Sequence, residues 1–182
     1  MVKFNNSLTL RSLTTEKLNS NLVNQICILK NDFWRFGVKS QMKWFKKNIY
    51  SKDIHNLLFL RNKLIGYTAL RKRSCVLYNT KSKKNSINQY LLFDTILINK
   101  LYRGNGYSNL LMKFNLKKIV EKKRMSFLIC EKNKLKFYKI WKWRKLKKKN
   151  FRLINHKSLK HGLVYNYKKI LNNNSYLILF DF

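Results

Sequence analysis

Acidic residues are scarce in this chain: 7 Asp and Glu stand against 41 Lys and Arg, a formal charge of +34 over 182 residues. Such a field draws any polyanion non-specifically, whether RNA, DNA, an anionic membrane surface or a small molecule carrying several phosphates. Proline is absent altogether, and Lys, Asn, Ile, Tyr and Phe abound, the mark of codons rich in A and T. Asp and Glu codons tolerate that bias about as well as Lys codons do. Base composition therefore accounts for Lys over Arg but not for basic over acidic, and a drifting basic proteome stands beside a selected positive field as the two explanations. Cysteines number 3, at Cys27, Cys75 and Cys130, isolated and without Cys or His at metal-ligand spacing. Neither a disulfide framework nor a zinc site is expected, and all read as small buried hydrophobes. No apolar run approaches the roughly 20 residues that cross a bilayer, and the N-terminus lacks the basic-then-apolar order of a signal peptide. A cytoplasmic location with no membrane span is the expectation. What the chain does hold is 45% hydrophobic and 14% aromatic residues, enough for a sizeable core, with no linker and no internal repeat. One domain, residues 1–182, is the expected organisation.

Glycine is also rare, 5 in all, and Gly104 and Gly106 fall in one short stretch, Leu101-Tyr102-Arg103-Gly104-Asn105-Gly106-Tyr107-Ser108. The apolar run Tyr90 to Ile98 before it reads as a buried strand. The segment Tyr107 to Glu121 after it carries Leu110, Leu111, Phe114 and Ile119 at helical spacing. In a strand, glycine turn and helix, a loop without bulky Cβ groups lets backbone N–H donors close on an anion, and the helix adds its positive N-terminal end. A Gly-x-Gly alone is equally a plain left-handed turn.

Arg103-x-x-Gly106-x-Ser108 resembles the Arg/Gln-x-x-Gly-x-Gly/Ala signature of the GNAT superfamily of N-acetyltransferases, with Ser108 in place of Gly or Ala. The resemblance implies that Arg103, Gly104, Asn105, Gly106, Tyr107 and Ser108 wrap the pyrophosphate of acetyl-CoA. It further implies that Ile96, Leu97 and Ile98 offer backbone groups to the pantetheine arm and the thioester. A second stretch, Phe137-Tyr138-Lys139-Ile140-Trp141-Lys142-Trp143, resembles the family's Phe-Tyr pair on a helix, followed by a Gly-aromatic pair, with Lys142 where the glycine usually stands. The implied fold is α/β (α+β), a mixed, mostly antiparallel central sheet flanked by helices.

Other segments fill in that order. Ser7 to Arg11 alternates weakly as a first strand, and Thr14-Thr15 with Glu16 looks like a helix start ahead of Leu18, Leu22, Ile26 and Leu29. Gly37 breaks the pattern, and Ser40 to Phe45 begins a shorter helix. The cluster Phe33, Trp34, Phe36, Trp44 and Phe45 reads as core and lid packing, the alternative being a border of the acceptor pocket. Leu57 to Arg61 and Leu64 to Arg73 form a hairpin about Asn62-Lys63. Lys81 to Asn88 reads as a loop, Met125 to Cys130 as a central strand, and Arg144 to Lys149 as a solvated loop or helix face. Leu163 to Tyr167 and Tyr176 to Phe182, joined through Asn172-Asn173-Asn174, would close the fold as a hairpin.

Acetyl transfer to an amine needs an uncharged nucleophile, an acid for the departing thiolate, and donors facing the oxyanion. The scarcity of carboxylates lets every candidate base be named: Glu16, Asp32, Asp53, Asp94, Glu121, Glu131 and Asp181. Asp94 stands out because it interrupts an apolar strand just before the glycine loop, where it is either near the active centre or paired with a cation. Glu131 is the second choice. By the resemblance, Tyr138 points its hydroxyl at the cofactor sulfur and protonates the thiolate; otherwise it is a core tyrosine. His55, His156 and His161 show no pairing with a nucleophile, and no metal is called for.

The expected activity is transfer of the acetyl group of acetyl-CoA to a primary amine, on a small molecule or a protein, by direct attack in a ternary complex. A homodimer is compatible with it. The competing reading is a basic RNA- or ribosome-associated protein that keeps the fold without the reaction, using mixtures such as Trp141-Lys142-Trp143-Arg144 to stack on bases.

Overall fold

The computed structural model describes residues 8–154, 160–167 and 175–180. Contacts gather into two compact units: residues up to Arg71 with Asp94–Lys117, and Lys72–Phe93 with the residues from Lys118 onward.

In the first unit, β1 (Leu8–Thr14) lies antiparallel to β2 (Ile54–Leu60), and β2 to the first half of β3 (Lys63–Asn79). The β2–β3 turn is Arg61-Asn62, both with positive φ (47° and 65°), the geometry of a two-residue hairpin turn that suits Asn. It sits one residue earlier than Asn62-Lys63, because Lys63 already pairs with Leu60. Helix α1 (Ser20–Asn31) starts where the Asn19 side chain accepts the Leu22 N–H at 2.9 Å. The expected start at Thr14-Thr15 is only a short 3-10 turn, Thr15–Lys17, since the Thr15 N–H and hydroxyl both donate to the Asp53 carbonyl, at 3.0 and 3.4 Å. Helix α2 (Val38–Asn48) begins after Gly37, whose φ of 85° reverses the chain. Alternation along β2 divides the core. Leu57 packs with Ile26, Leu29 and Phe45 of α1 and α2, and with Tyr67 and Leu97, whereas Leu58 packs with Ile65, Ile98 and Leu111.

The chain continues through β4 (Asn85–Ile98) and α3 (Tyr107–Glu121). In the second unit follow β5 (Ser126–Cys130), α4 (Leu135–Ile140), β6 (Arg144–Lys145), β7 (Phe151–Leu153), β8 (His161–Tyr165) and β9 (Ser175–Leu179). Strand β4 starts inside the segment expected to be a loop; its residues 85–89 are exposed, so no hydrophobic alternation marks them. Strand β5 pairs in parallel with β4 at Leu91 and Leu92 and antiparallel with β8. The expected closing hairpin is not formed: β8 pairs β5 and β6, while β9 pairs antiparallel with β3 at Cys75 to Asn79 and parallel with β7. The turn proposed at Asn172-Asn173-Asn174 lies outside the described residues, as do His156 and Asp181. The cationic run after Trp143 is not wholly loop either, because Arg144 and Lys145 add a short exposed edge to β8.

Hydrogen bonding orders the main sheet path β1-β2-β3-β4-β5-β8-β6, with β9 on β3 and β7 on β9. The β4–β5 and β7–β9 pairs are parallel. This is the expected mixed, mostly antiparallel sheet flanked by helices. All three cysteines are buried and free.

Candidate active site

The end of β4 is fixed by a defect in the β2–β3 ladder. Register shifts between Leu58 and Phe59, which face Gly66 and Leu64, so Ile65 has no partner on β2. The carbonyl of Ile65 instead accepts the Asn99 N–H at 2.8 Å, just past the last residue of β4. Gly66 completes the fit: a Cβ there would stand 2.8 Å from Ile98 Cδ1 and 3.2 Å from Leu111 Cδ2. Ile96 and Ile98 turn their side chains to the α3 side of the core, and Leu97 turns to the α1–α2 side. Packing uses these side chains, which leaves the backbone of this stretch as its chemical resource.

Helix α3 is anchored from the sheet. Asn56 Nδ2 and the Thr68 hydroxyl both donate to Asn115 Oδ1, at 2.8 and 2.9 Å, and all three residues are fully buried. The loop between β4 and α3 is therefore held at both ends. Within it, Asn99 Oδ1 accepts the Leu101 N–H at 3.1 Å, and Asn105 Nδ2 donates to the carbonyls of Tyr102 and Arg103 at 3.3 and 3.2 Å. Arg103 folds back, its Nε donating to the Ile98 carbonyl at 3.1 Å and its guanidinium lying 4.4 Å from the centre of the Phe33 ring.

Gly104 and Gly106 both have positive φ, 84° and 73°, and the position a Cβ would take on either meets nothing within 4 Å. Among the described residues, no protein group accepts from the backbone N–H groups of Gly104 to Ser108. The Gly104–Ser108 turn thus combines free donors, open space at both glycines and the N-terminal end of a 15-residue helix. Its composition fits an anionic, phosphate-bearing group, and Ser108 keeps the start of α3 small.

In the second unit, Tyr138 of α4 packs edge-on against Phe137 and Phe93 and against Trp143, with ring centres 5.2, 6.1 and 6.0 Å away. Burial pushes its hydroxyl well above the ordinary tyrosine value, and the nearby Cys130 thiol adds to the shift. The group stays protonated across the physiological range. Lys142, where the resembling motif has glycine, adopts φ of 61°, a left-handed turn made by a residue that tolerates it poorly. Trp143, just after the turn, is buried against Phe93 and Tyr165. Buried there, it cannot stack on nucleic-acid bases.

Asp94 lines a cavity of about 420 Å³ with Lys30, Trp34, Phe36, Ser40, Gln41 and Trp44. By sequence Asp94 is either near the active centre or paired with a cation. It is paired, with Arg71 Nη1 at 3.4 Å from its Oδ1, and it also lies on a cavity wall. The aromatic cluster expected to be core and lid divides. Phe45 is core, Phe33 supports Arg103, and Trp34, Phe36 and Trp44 form the cavity wall, with Phe36 73% exposed. The other described carboxylates are engaged away from this wall. Glu16 pairs with Lys52, Glu121 with Lys118 and Glu131 with Lys160, Asp53 accepts the Tyr50 N–H, and Asp32 accepts from Asn99. Lys30 and Arg71 were not singled out from the sequence. Lys30 follows Ile26 by one helical turn on the buried stripe of α1, and a lysine in that register is the signal that marks it. Among the described residues no group of three or more His, Cys, Asp or Glu is placed to hold a metal ion.

No protein-family model matches the chain, and no curated protein matches it in sequence. Solved structures do match in fold. YhbS of Escherichia coli, a GNAT family N-acetyltransferase solved in complex with CoA, aligns with a TM-score of 0.64 at 13% identity, over 95% of this chain and 88% of its own. An acyl-CoA N-acyltransferase from Pseudomonas aeruginosa aligns at 0.62 and 11% identity, over 87% and 99%. The ribosomal-protein-S18-alanine N-acetyltransferase of Escherichia coli aligns at 0.55 and 8% identity, over 86% and 91%. With the mixed, mostly antiparallel sheet flanked by helices, these alignments lead to one conclusion: this chain has the fold of the GNAT N-acetyltransferases.

Proposed function

We propose that residues 1–182 act as one acetyltransferase domain that moves the acetyl group of acetyl-CoA to a primary amine. The observation that carries this reading is the Gly104–Ser108 loop, with its free backbone donors, positive-φ glycines and helix start, in a chain with an acetyltransferase fold. Arg103, Gly104, Asn105, Gly106, Tyr107 and Ser108 hold the pyrophosphate, and the backbone of Ile96, Leu97 and Ile98 orients the pantetheine arm. When bound, acetyl-CoA supplies an activated thioester carbonyl.

The chain's own groups then manage protons. Asp94 receives the proton that the acceptor ammonium gives up, leaving a neutral amine nitrogen to bond to the carbonyl carbon as the C–S bond breaks. Tyr138, whose burial holds its proton until then, gives that proton to the departing thiolate and regains one from the acylated nitrogen, while Asp94 passes its own to solvent. One acetamide and one thiol form per turnover. No helix of the described residues is long and apolar enough to cross a membrane.

The test is mass spectrometry of a primary-amine panel incubated with the protein and isotopically labelled acetyl-CoA. Labelled N-acetyl product in step with thiol release supports the reading. Thiol release without acetylated amine, or neither, refutes amine acetylation on this panel and turns attention to the nucleic-acid reading.

A further inference from the structure

Two buried cations and a single carboxylate set the charge of the cavity at Asp94. Lys30 is 5% exposed, and its ammonium lies 3.5 Å from the centre of the Trp44 ring and 6.0 Å from that of Trp34. Among the described residues no oxygen accepts a hydrogen bond from it. Arg71 is likewise 5% exposed, pairs with Asp94 and stands 5.5 Å from the Trp44 ring. Among the described residues the one wall carboxylate is thus shared with Arg71, and Lys30 is left as a buried ammonium without a hydrogen-bonded counter-ion. Such a group is costly to hold unless something in the cavity answers it. Burial lowers the Lys30 pKa, and Asp94 pulls it back up.

We infer that this cavity takes an acceptor amine with a flat apolar body and a carboxylate, its anion meeting Lys30, its amine meeting Asp94 and its body lying against Trp34, Phe36 and Trp44. This rests on the acetyl-transfer reading above and narrows it to a substrate class. A polycationic acceptor, such as a polyamine or an aminated oligosaccharide, needs several carboxylates, and among the described residues this wall offers one. An amine without an anionic group leaves Lys30 unanswered. The positive balance also helps the chemistry, because cations around an incoming ammonium ease its loss of a proton. At about 420 Å³ the cavity suits a small molecule, and Ser40 and Gln41 add polar groups at its border.

The experiment compares L-phenylalanine with phenethylamine and spermidine as acceptors, and 3-phenylpropionate with phenethylamine as ligands of the CoA-loaded protein by calorimetry. The expected result is a kcat/KM for phenylalanine roughly tenfold to a hundredfold above phenethylamine, the range of a hydrogen bond to a charged group, and no turnover of spermidine. In Lys30→Met that ratio falls toward one, whereas Lys30→Arg keeps it. Should none of these amines be turned over, binding decides: 3-phenylpropionate must bind more tightly than phenethylamine. Phenethylamine or spermidine equal to or better than the carboxylate compounds, or no binding of either ligand at millimolar concentration, overturns the inference. Acetyl-CoA affinity, measured separately, tells its failure from failure of the acetyl-transfer reading.

Discussion

Gly106→Val separates the two jobs that the glycine loop performs. The native φ of 73° lies in the left-handed region, where an L residue costs about 1–2 kcal/mol and a β-branched one sits at the upper end. Protein atoms do not oppose the change, since nothing lies within 4 Å of the new Cβ. The variant should fold, with a melting temperature lower by roughly 2–8 °C for a chain of this length. Affinity for acetyl-CoA should fall much further, because the new side chain occupies the space beside the free N–H groups. Losing one or two charge-assisted hydrogen bonds, at about 1.5–3 kcal/mol each, raises the dissociation constant by roughly tenfold to ten-thousandfold. Gly37→Val is the matched control: its φ is 85°, its Cβ position is equally open, and it lies outside the loop. It should lose similar stability and leave acetyl-CoA affinity unchanged. Calorimetric titration and thermal melts of both variants read the two effects. A folded Gly106→Val protein with wild-type affinity would refute the cradle.

Other consequences are equally specific. If Tyr138 is the proposed acid, Tyr138→Phe should lower kcat by roughly a hundredfold or more, with acetyl-CoA affinity nearly intact; wild-type turnover across pH would exclude the acid role. Lys142→Gly relieves the left-handed strain at φ 61° and should raise stability by about 1 kcal/mol, read as a higher midpoint in urea; a lower midpoint would contradict it. His55 is buried between Phe45 and Tyr67, with its ring nitrogens 2.9 Å from the hydroxyls of Thr15 and Tyr67. Burial, with the charge of Lys30, holds its pKa down to about 4. The unfolded chain, titrating near 6.5, binds the extra proton first. Its stability contribution is therefore full above pH 6.5 and is lost as pH falls toward 4, by about 2 kcal/mol at pH 5. Urea unfolding at pH 7.5 and pH 5, beside an imidazole titration by NMR, checks this; an imidazole titrating above pH 6 in the folded protein would refute it.

The parts legible in the sequence are those in which one local pattern decides the outcome. Strand β4 reads from an apolar run, α3 from its helical spacing, and the loop between them from two glycines whose positive φ the structure requires. The misplaced parts depend on partners distant in sequence. Thr15 resembles a helix cap until Asp53 captures its donors. The exposed start of β4 has no alternation to reveal it. The last strands look like a hairpin because they are successive, but β9 goes to β3 and β8 to β5. The same rule holds for the site. Asp94 was conspicuous as a charge in an apolar strand, whereas the Lys30–Trp44 contact and the Arg71–Asp94 pair join residues far apart in the chain. Lys142 shows the converse: a lysine, where the resembling motif has glycine, adopts the positive φ that glycine takes most readily.

The central claim is that the β4–α3 loop binds acetyl-CoA through backbone donors rather than as part of a generally basic surface. Calorimetric titration of acetyl-CoA into nucleic-acid-free protein at low and high salt, with desulfo- and dephospho-analogues, tests it directly. Saturable binding that persists at high salt and depends on the pantetheine arm is the predicted result. Binding that vanishes with salt, or that any polyphosphate reproduces, would contradict it.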